Sequence, residues 1–97
     1  MKWTVNFTRS AGKQAKKLSK SAFESLRLLV HDLEFNGPAP GKSWDNYSKL
    51  KGVKNRDLRH CHLIKGQPTY VCCWELIDKK IKIIEVYYAG THERAPY

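Results

Sequence analysis

The sequence predicts an α+β domain in which a pair of helices packs on one face of a mostly antiparallel four-stranded sheet. The chain order is strand, helix, helix, strand, strand, strand. Three observations predict it. Apolar and polar residues alternate from Lys2 to Thr8. The period then changes to a helical one between Ala11 and Phe35. Finally, three runs rich in aromatic and β-branched residues, joined by short connections, fill positions 57–89. A chain of 97 residues with 41% hydrophobic composition forms one domain, spanning 1–97, around one core.

In the first strand, Trp3, Val5 and Phe7 alternate with Lys2, Thr4, Asn6 and Thr8, the pattern of a half-buried strand. Ala11, Ala15 and Leu18 then fall at i, i+4 and i+7, ringed by Lys13, Lys16, Lys17 and Lys20. This predicts a short amphipathic helix starting near Thr8–Ser10 and breaking at Ser19–Ser21. A second helix is expected from Ala22 to about Phe35. Ser21 is its expected N-cap, with Glu24 three residues on closing a capping box. Its apolar stripe is Phe23, Leu26, Val30 and Leu33, widened by Ala22 and Leu29. Asn36-Gly37-Pro38 stops it, because glycine accepts a left-handed cap and proline cannot continue the helix.

Residues 37–55 are a long loop with Trp44, Tyr47 and Leu50 as its apolar anchors. Loops of this length in small domains are often functional. Three strands follow, over 57–64, 69–77 and 80–89. The first turn falls at Lys65-Gly66-Gln67-Pro68 and the second at Asp78-Lys79, which makes an antiparallel meander.

Charge narrows the class of partner. Eighteen Lys and Arg against nine Asp and Glu give +9. Residues 1–20 hold six basic groups and no acidic one, and residues 37–66 hold seven basic against two acidic. A concentrated positive field points to a polyanion: nucleic acid, the ribosome or an acidic protein. The longest purely apolar runs are four or five residues, such as Tyr70–Trp74, too short to cross a membrane. The N-terminus has no signal-peptide apolar region, so a soluble cytoplasmic protein is expected. Cys61, Cys72 and Cys73 are odd in number and lack CxxC spacing; they read as small buried hydrophobes in a reducing compartment.

The candidate chemistry is histidine chemistry. Alternation on the strand over 57–64 places Leu58, His60, His62 and Ile64 on one face and Arg59, Cys61 and Leu63 on the other. The two imidazoles point the same way, about 7 Å apart by the strand rise. Cys61 and Leu63 suit the helix-packed side, leaving the histidines on the more open one. His92 follows the last strand at Gly90-Thr91-His92, where Gly90 lets the chain turn. His31 sits in the second helix, unrelated to these three. Three histidines admit a zinc site, but no carboxylate is placed beside them and the surrounding charge opposes a cation. Unrelated surface histidines are another reading. The third is acid–base chemistry on a phosphodiester. Imidazole transfers protons near neutral pH, and Lys and Arg neutralise the charge that develops on phosphorus.

In chain order, charge and size, the sequence resembles the RelE/ParE superfamily of toxin–antitoxin toxins, which has a microbial-RNase-like fold. Within it, the chain is most similar to the RelE/YafQ branch of ribosome-dependent mRNA interferases. The resemblance spans nearly the whole chain. It rests on Leu50-Lys51-Gly52, on Arg59-His60-Cys61-His62-Leu63, on Tyr70–Trp74, and on Gly90-Thr91-His92 with Tyr97 as C-terminal aromatic. It implies metal-independent endonucleolytic cleavage of mRNA without a cofactor, and neutralisation by a cognate acidic antitoxin in a hetero-oligomeric complex. His62 would be the base and His92 the acid. His60 and Tyr97 complete the expected catalytic set. Arg59, Tyr70, Lys13, Lys16, Lys17, Lys20, Lys51 and Lys54 are the expected RNA contacts. Two other readings stay open: a ParE-like gyrase binder without catalysis, and an inactive member that only binds its antitoxin.

Overall fold

The computed structural model describes residues 2–51 and 54–97. Its elements are β1 (Thr4–Phe7), α1 (Arg9–Lys16), α2 (Lys20–Asn36), β2 (Ser48–Lys49), β3 (Leu58–Ile64), β4 (Tyr70–Asp78) and β5 (Ile83–Thr91). They form one five-stranded sheet in the order β1-β5-β4-β3-β2. β1 runs parallel to β5 at one edge, and every other pairing is antiparallel. The α+β class, the helical pair and the four long strands are as the sequence predicts. The addition is β2, a two-residue strand that the long loop lays along β3, pairing Ser48 with His60 and Lys49 with Arg59. No apolar alternation marks it, because both residues are exposed.

The helix boundaries follow the caps. Thr8 is extended and its hydroxyl accepts the Ala11 N–H at 3.0 Å, starting α1. The second N-cap is Ser19 and not Ser21. Lys17 closes α1, and two residues later Ser19 accepts the Ala22 N–H at 3.2 Å. The break between helices is thus shorter than the serine pattern suggested. Ser21 falls inside the first turn, Glu24 pairs with Arg27 at 3.4 Å, and Lys20 opens α2 instead of belonging to the first helix. Gly37 ends α2 at φ 85°, its N–H bonded to Leu33 O at 2.9 Å. A Cβ there would meet the Trp3 indole at 3.0 Å, so glycine is required by conformation and by space.

The core lies between the helices and one face of the sheet. Ala11, Ala15, Leu26, Leu29 and Leu33 pack on Cys61, Leu63, Cys72, Trp74, Ile84 and Val86. Phe23, expected in the apolar stripe, is 41% exposed. The three thiols are free and buried, as small hydrophobes. Burial pushes the thiol of each upward, away from the reactive thiolate.

The long loop is tied down by its aromatics. Trp44 Nε1–H donates to Asp32 at 2.8 Å, and Tyr47 stacks on Trp74 with centroids 6.0 Å apart. Trp74 Nε1–H in turn donates to Pro38 O at 3.0 Å. The turn after β4 spans 79–82, where Asp78 accepts the N–H groups of Lys80 and Ile81. The last strand therefore starts three residues later than expected and runs through Thr91.

Candidate active site

Strand alternation divides β3 as expected. Cys61 and Leu63 enter the helix-side core. His60 and His62 stand on the other face, opposite Cys73 and Val71 of β4. Val71 and Cys73 form a second small cluster there with Tyr88, joined by Tyr87 and Ala95. After β5 the chain makes a short 3-10 turn, His92–Arg94, anchored by His92 N–H donating to Thr69 O at 2.8 Å. The tail carries Tyr97 back over the same face.

This path gathers four of the expected residues. The rings of His62 and His92 meet edge to face, centroids 5.5 Å apart at 75°. Tyr97 lies 4.4 Å from His60 and 6.0 Å from His92. The three imidazoles differ in environment: His60 is buried, His62 half-buried and His92 exposed. Burial, reinforced by the neighbouring imidazoles, holds His60 below the ordinary histidine value. His62 is also lowered, first by burial, then by His92 and Lys65, with Asp45 opposing. Burial pushes the Tyr97 phenol up. Both strand histidines are therefore shifted toward the neutral imidazole, beside a phenol shifted toward its neutral form. Among the described residues no group of three or more His, Cys, Asp or Glu is arranged to hold a metal ion.

A cleft of about 440 Å³ opens beside His92, lined by Gly66, Gln67, Pro68, Thr69 and Glu93. Sequence reasoning passed over several residues here. Ser48 Oγ is hydrogen-bonded to His60 Nε2 at 2.8 Å. The His62 N–H donates to Asp45 O at 2.8 Å, and Lys65 lies 3.9 Å from the Asp45 carboxylate. Ser48 and Asp45 sit in a loop without periodicity, so their only signal was the length of that loop.

Other expected residues lie elsewhere. Arg59 does not join the histidines. Its guanidinium makes two bonds to Asp57, at 2.8 and 2.9 Å, and a third to Tyr47 Oη at 2.9 Å. Those hydrogen bonds hold the Asp57 carboxyl below the usual carboxylate range. Tyr70 packs against the helix-side core, not on the histidine face. With Lys17 and Arg94 it lines a separate cleft of about 470 Å³ at the same end of the sheet. Lys13 and Lys16 are exposed on α1, across the sheet from the histidines, and Lys20 is exposed at the start of α2. Lys51 and Lys54 are exposed in the loop, while Gly52 between them lies outside the described residues. Gly90 is not a turn residue but an internal position of β5, where a Cβ would meet Tyr88 Oη at 2.8 Å. His31 is exposed and rests on Phe35, 4.7 Å between centroids.

No helix among the described residues is long and apolar enough to cross a membrane. No family model and no curated protein sequence matches the chain. Solved structures do match. A chain of the archaeal RelE–RelB complex from Pyrococcus horikoshii OT3 superposes with a TM-score of 0.76 at 22% identity, covering 98% of this chain and 100% of that one. A free E. coli RelE toxin carrying two arginine-to-alanine substitutions gives a TM-score of 0.66 at 20% identity, covering 98% and 88%. Nearly the whole chain is aligned in both cases, and the strand–helix–helix–meander order is the one described above. The chain carries the fold of RelE-type toxins.

Proposed function

We propose that this chain is the toxin of a toxin–antitoxin pair, an endoribonuclease that cuts mRNA on the ribosome and so stops translation. The observation that carries this reading is the meeting of His60, His62, His92 and Tyr97 on one sheet face. A protein that acted only by binding would have no need of three clustered imidazoles.

His62 is the base. Its pKa is lowered, so at neutral pH it is unprotonated and ready to accept the 2′-hydroxyl proton. The 2′-oxygen attacks the adjacent phosphorus, forming the O2′–P bond as the P–O5′ bond breaks. His92, exposed at the cleft, protonates the departing 5′-oxygen. The products are a 2′,3′-cyclic phosphate, or the 3′-phosphate after its hydrolysis, and a 5′-hydroxyl. His60 and Tyr97 orient the phosphate and the neighbouring base. Lys65, and Lys51 and Lys54 of the loop, supply positive charge around the path of the RNA.

The exposed lysines Lys13, Lys16 and Lys17, with Lys20, form the surface for ribosomal RNA or for an acidic antitoxin. An antitoxin partner accords with the solved RelE–RelB complex to which the chain is similar. The protein would work in the cytoplasm, where ribosomes are. Induction of the chain followed by primer extension on cellular mRNA tests the reading. New 5′ ends inside coding regions, with translation arrested, are expected. Continued translation with altered DNA supercoiling would favour the gyrase-binding alternative instead.

A further inference from the structure

We infer that Ser48 is a positioning residue: it fixes which ring nitrogen of His60 carries the proton, placing it on Nε2 and leaving Nδ1 as the ring's lone-pair nitrogen beside the proposed base His62. The inference rests on the proposed acid–base role of the histidine cluster.

The long loop is pinned to β3 at three points around this contact. Ser48 pairs with His60 in register, Leu50 N–H donates to Leu58 O at 2.7 Å, and His62 N–H donates to Asp45 O at 2.8 Å. Two residues of strand are thus held where the Ser48 hydroxyl meets His60 Nε2 at 2.8 Å. The other ring nitrogen, Nδ1, is buried and, like His62 Nδ1, has no hydrogen-bond partner among the described residues. The groups around the ring are His62 on its own strand, Cys73 opposite on β4, and His92 and Tyr97 from the segment after β5. None of them bonds Nδ1.

A neutral imidazole has one N–H and one lone pair. A proton on Nδ1 would bury an unpaired N–H donor, the rarer and costlier kind of orphan. A proton on Nε2 is donated to Ser48 Oγ, and the exposed serine turns its own hydroxyl proton to solvent. The second arrangement leaves only a lone pair buried. His60 is then a fixed tautomer whose basic nitrogen faces the protein interior beside His62 and His92. Ser48 acts through His60, setting the tautomer by the hydrogen bond the other nitrogen makes.

Nitrogen-15 NMR of the histidine rings, recorded on the whole protein near neutral pH without RNA, tests this. The expected result is a pyrrole-type Nε2 and a pyridine-type Nδ1 for His60. Ser48→Ala should move both resonances toward tautomer averaging. It should also displace the pH profile of single-turnover cleavage and lower its rate, by up to ~10²-fold if ring alignment is lost. Ser48→Thr should restore both readouts, and a melting curve for each variant separates misfolding from a tautomer change. A wild-type His60 protonated on Nδ1, or unchanged His60 nitrogens in a folded Ser48→Ala protein, overturns the inference. If the wild-type protein cleaves no RNA, the functional proposal fails while the nitrogen shifts still decide the role of Ser48.

Discussion

Tyr97 covers His60: their rings are 4.4 Å apart at an interplanar angle of 37°, although 37 residues separate them in sequence. The contact joins the tail of the chain to the middle of β3. It depends on the turn at His92–Arg94, so the segment that supplies the proposed acid also roofs a second imidazole. One half of the ring pair is buried and the other is 48% exposed.

His92→Ala should remove the proposed acid without disturbing the fold. His92 is exposed and lies outside both core clusters, so truncation leaves no cavity. Cleavage in a single-turnover assay on programmed ribosomes should fall by ~10²–10⁴-fold, the usual contribution of a positioned general acid. The melting temperature should stay within a degree or two of wild type, on the order expected for an exposed site. Wild-type cleavage by the folded variant removes His92 from the chemistry.

Stability should decline as the solution is acidified through the histidine range. His60 and His62 are both lowered, burial being the main cause and neighbouring imidazoles the next. The unfolded chain therefore takes up their protons at a higher pH than the folded one. The stabilising difference is complete above the ordinary imidazole value of ~6.5 and is lost as pH falls through the lowered folded values. Thermal melts from about pH 7.5 to about pH 5 should show the loss, and a His60→Asn/His62→Asn protein should show a flatter profile over the same range. An identical slope in the two proteins places the acid sensitivity elsewhere.

Gly90→Ala should destabilise the end of β5 that carries His92. A methyl group at this position meets Tyr88 Oη at 2.8 Å and Cζ at 3.0 Å. The phenol has little room to retreat, since it is mostly buried and donates to Thr91 O at 2.7 Å. Overpacking of this kind costs about 1–3 kcal/mol. In a double-mutant cycle with Tyr88→Phe the two losses should be less than additive, because the clashing oxygen and its hydrogen bond disappear together. Strict additivity in denaturant melts would mean that the two side chains do not compete for this space.

What the sequence made legible and what it hid divide along physical lines. The strand face of His60 and His62 was readable because alternation on β3 has a fixed period of two, and buried Cys61 and Leu63 identify the other face. His92 was readable as a group beyond the last strand. Its contact with His62 was not, because it depends on a turn held by a backbone bond to Thr69. The choice of Ser19 over Ser21 as N-cap was hidden because serines flank Lys20 on both sides and only the end of α1 selects one. Gly90 carried a true signal, a position intolerant of a side chain, but the cause is Tyr88 standing over the strand and not a turn. Ser48 left no periodic trace, since a two-residue exposed strand has no pattern to read, and only the length of its loop marked the region.

Arg59 is an expected RNA contact only through the family resemblance, and its partners in the structure are structural ones. Strand alternation sends its side chain to the face opposite His60 and His62. There it meets Asp57 through two hydrogen bonds and Tyr47 through a third, with its side chain only 16% exposed. Tyr47 stacks on Trp74, so the guanidinium links β3 to the loop and to the largest buried side chain of the core. Arg59→Ala should leave the half-buried Asp57 carboxylate without its principal donor and Tyr47 without its partner. A loss of about 1–3 kcal/mol in a denaturant melt is expected, in the range for hydrogen bonds to charged groups. Arg59→Lys should recover only part of it, because an ammonium cannot reproduce the planar two-bond fork. Any fall in cleavage should track the loss of folded protein and vanish when activity is measured well below the melting transition. Reduced RNA affinity in an Arg59→Ala protein of undiminished stability would instead return this arginine to the substrate surface.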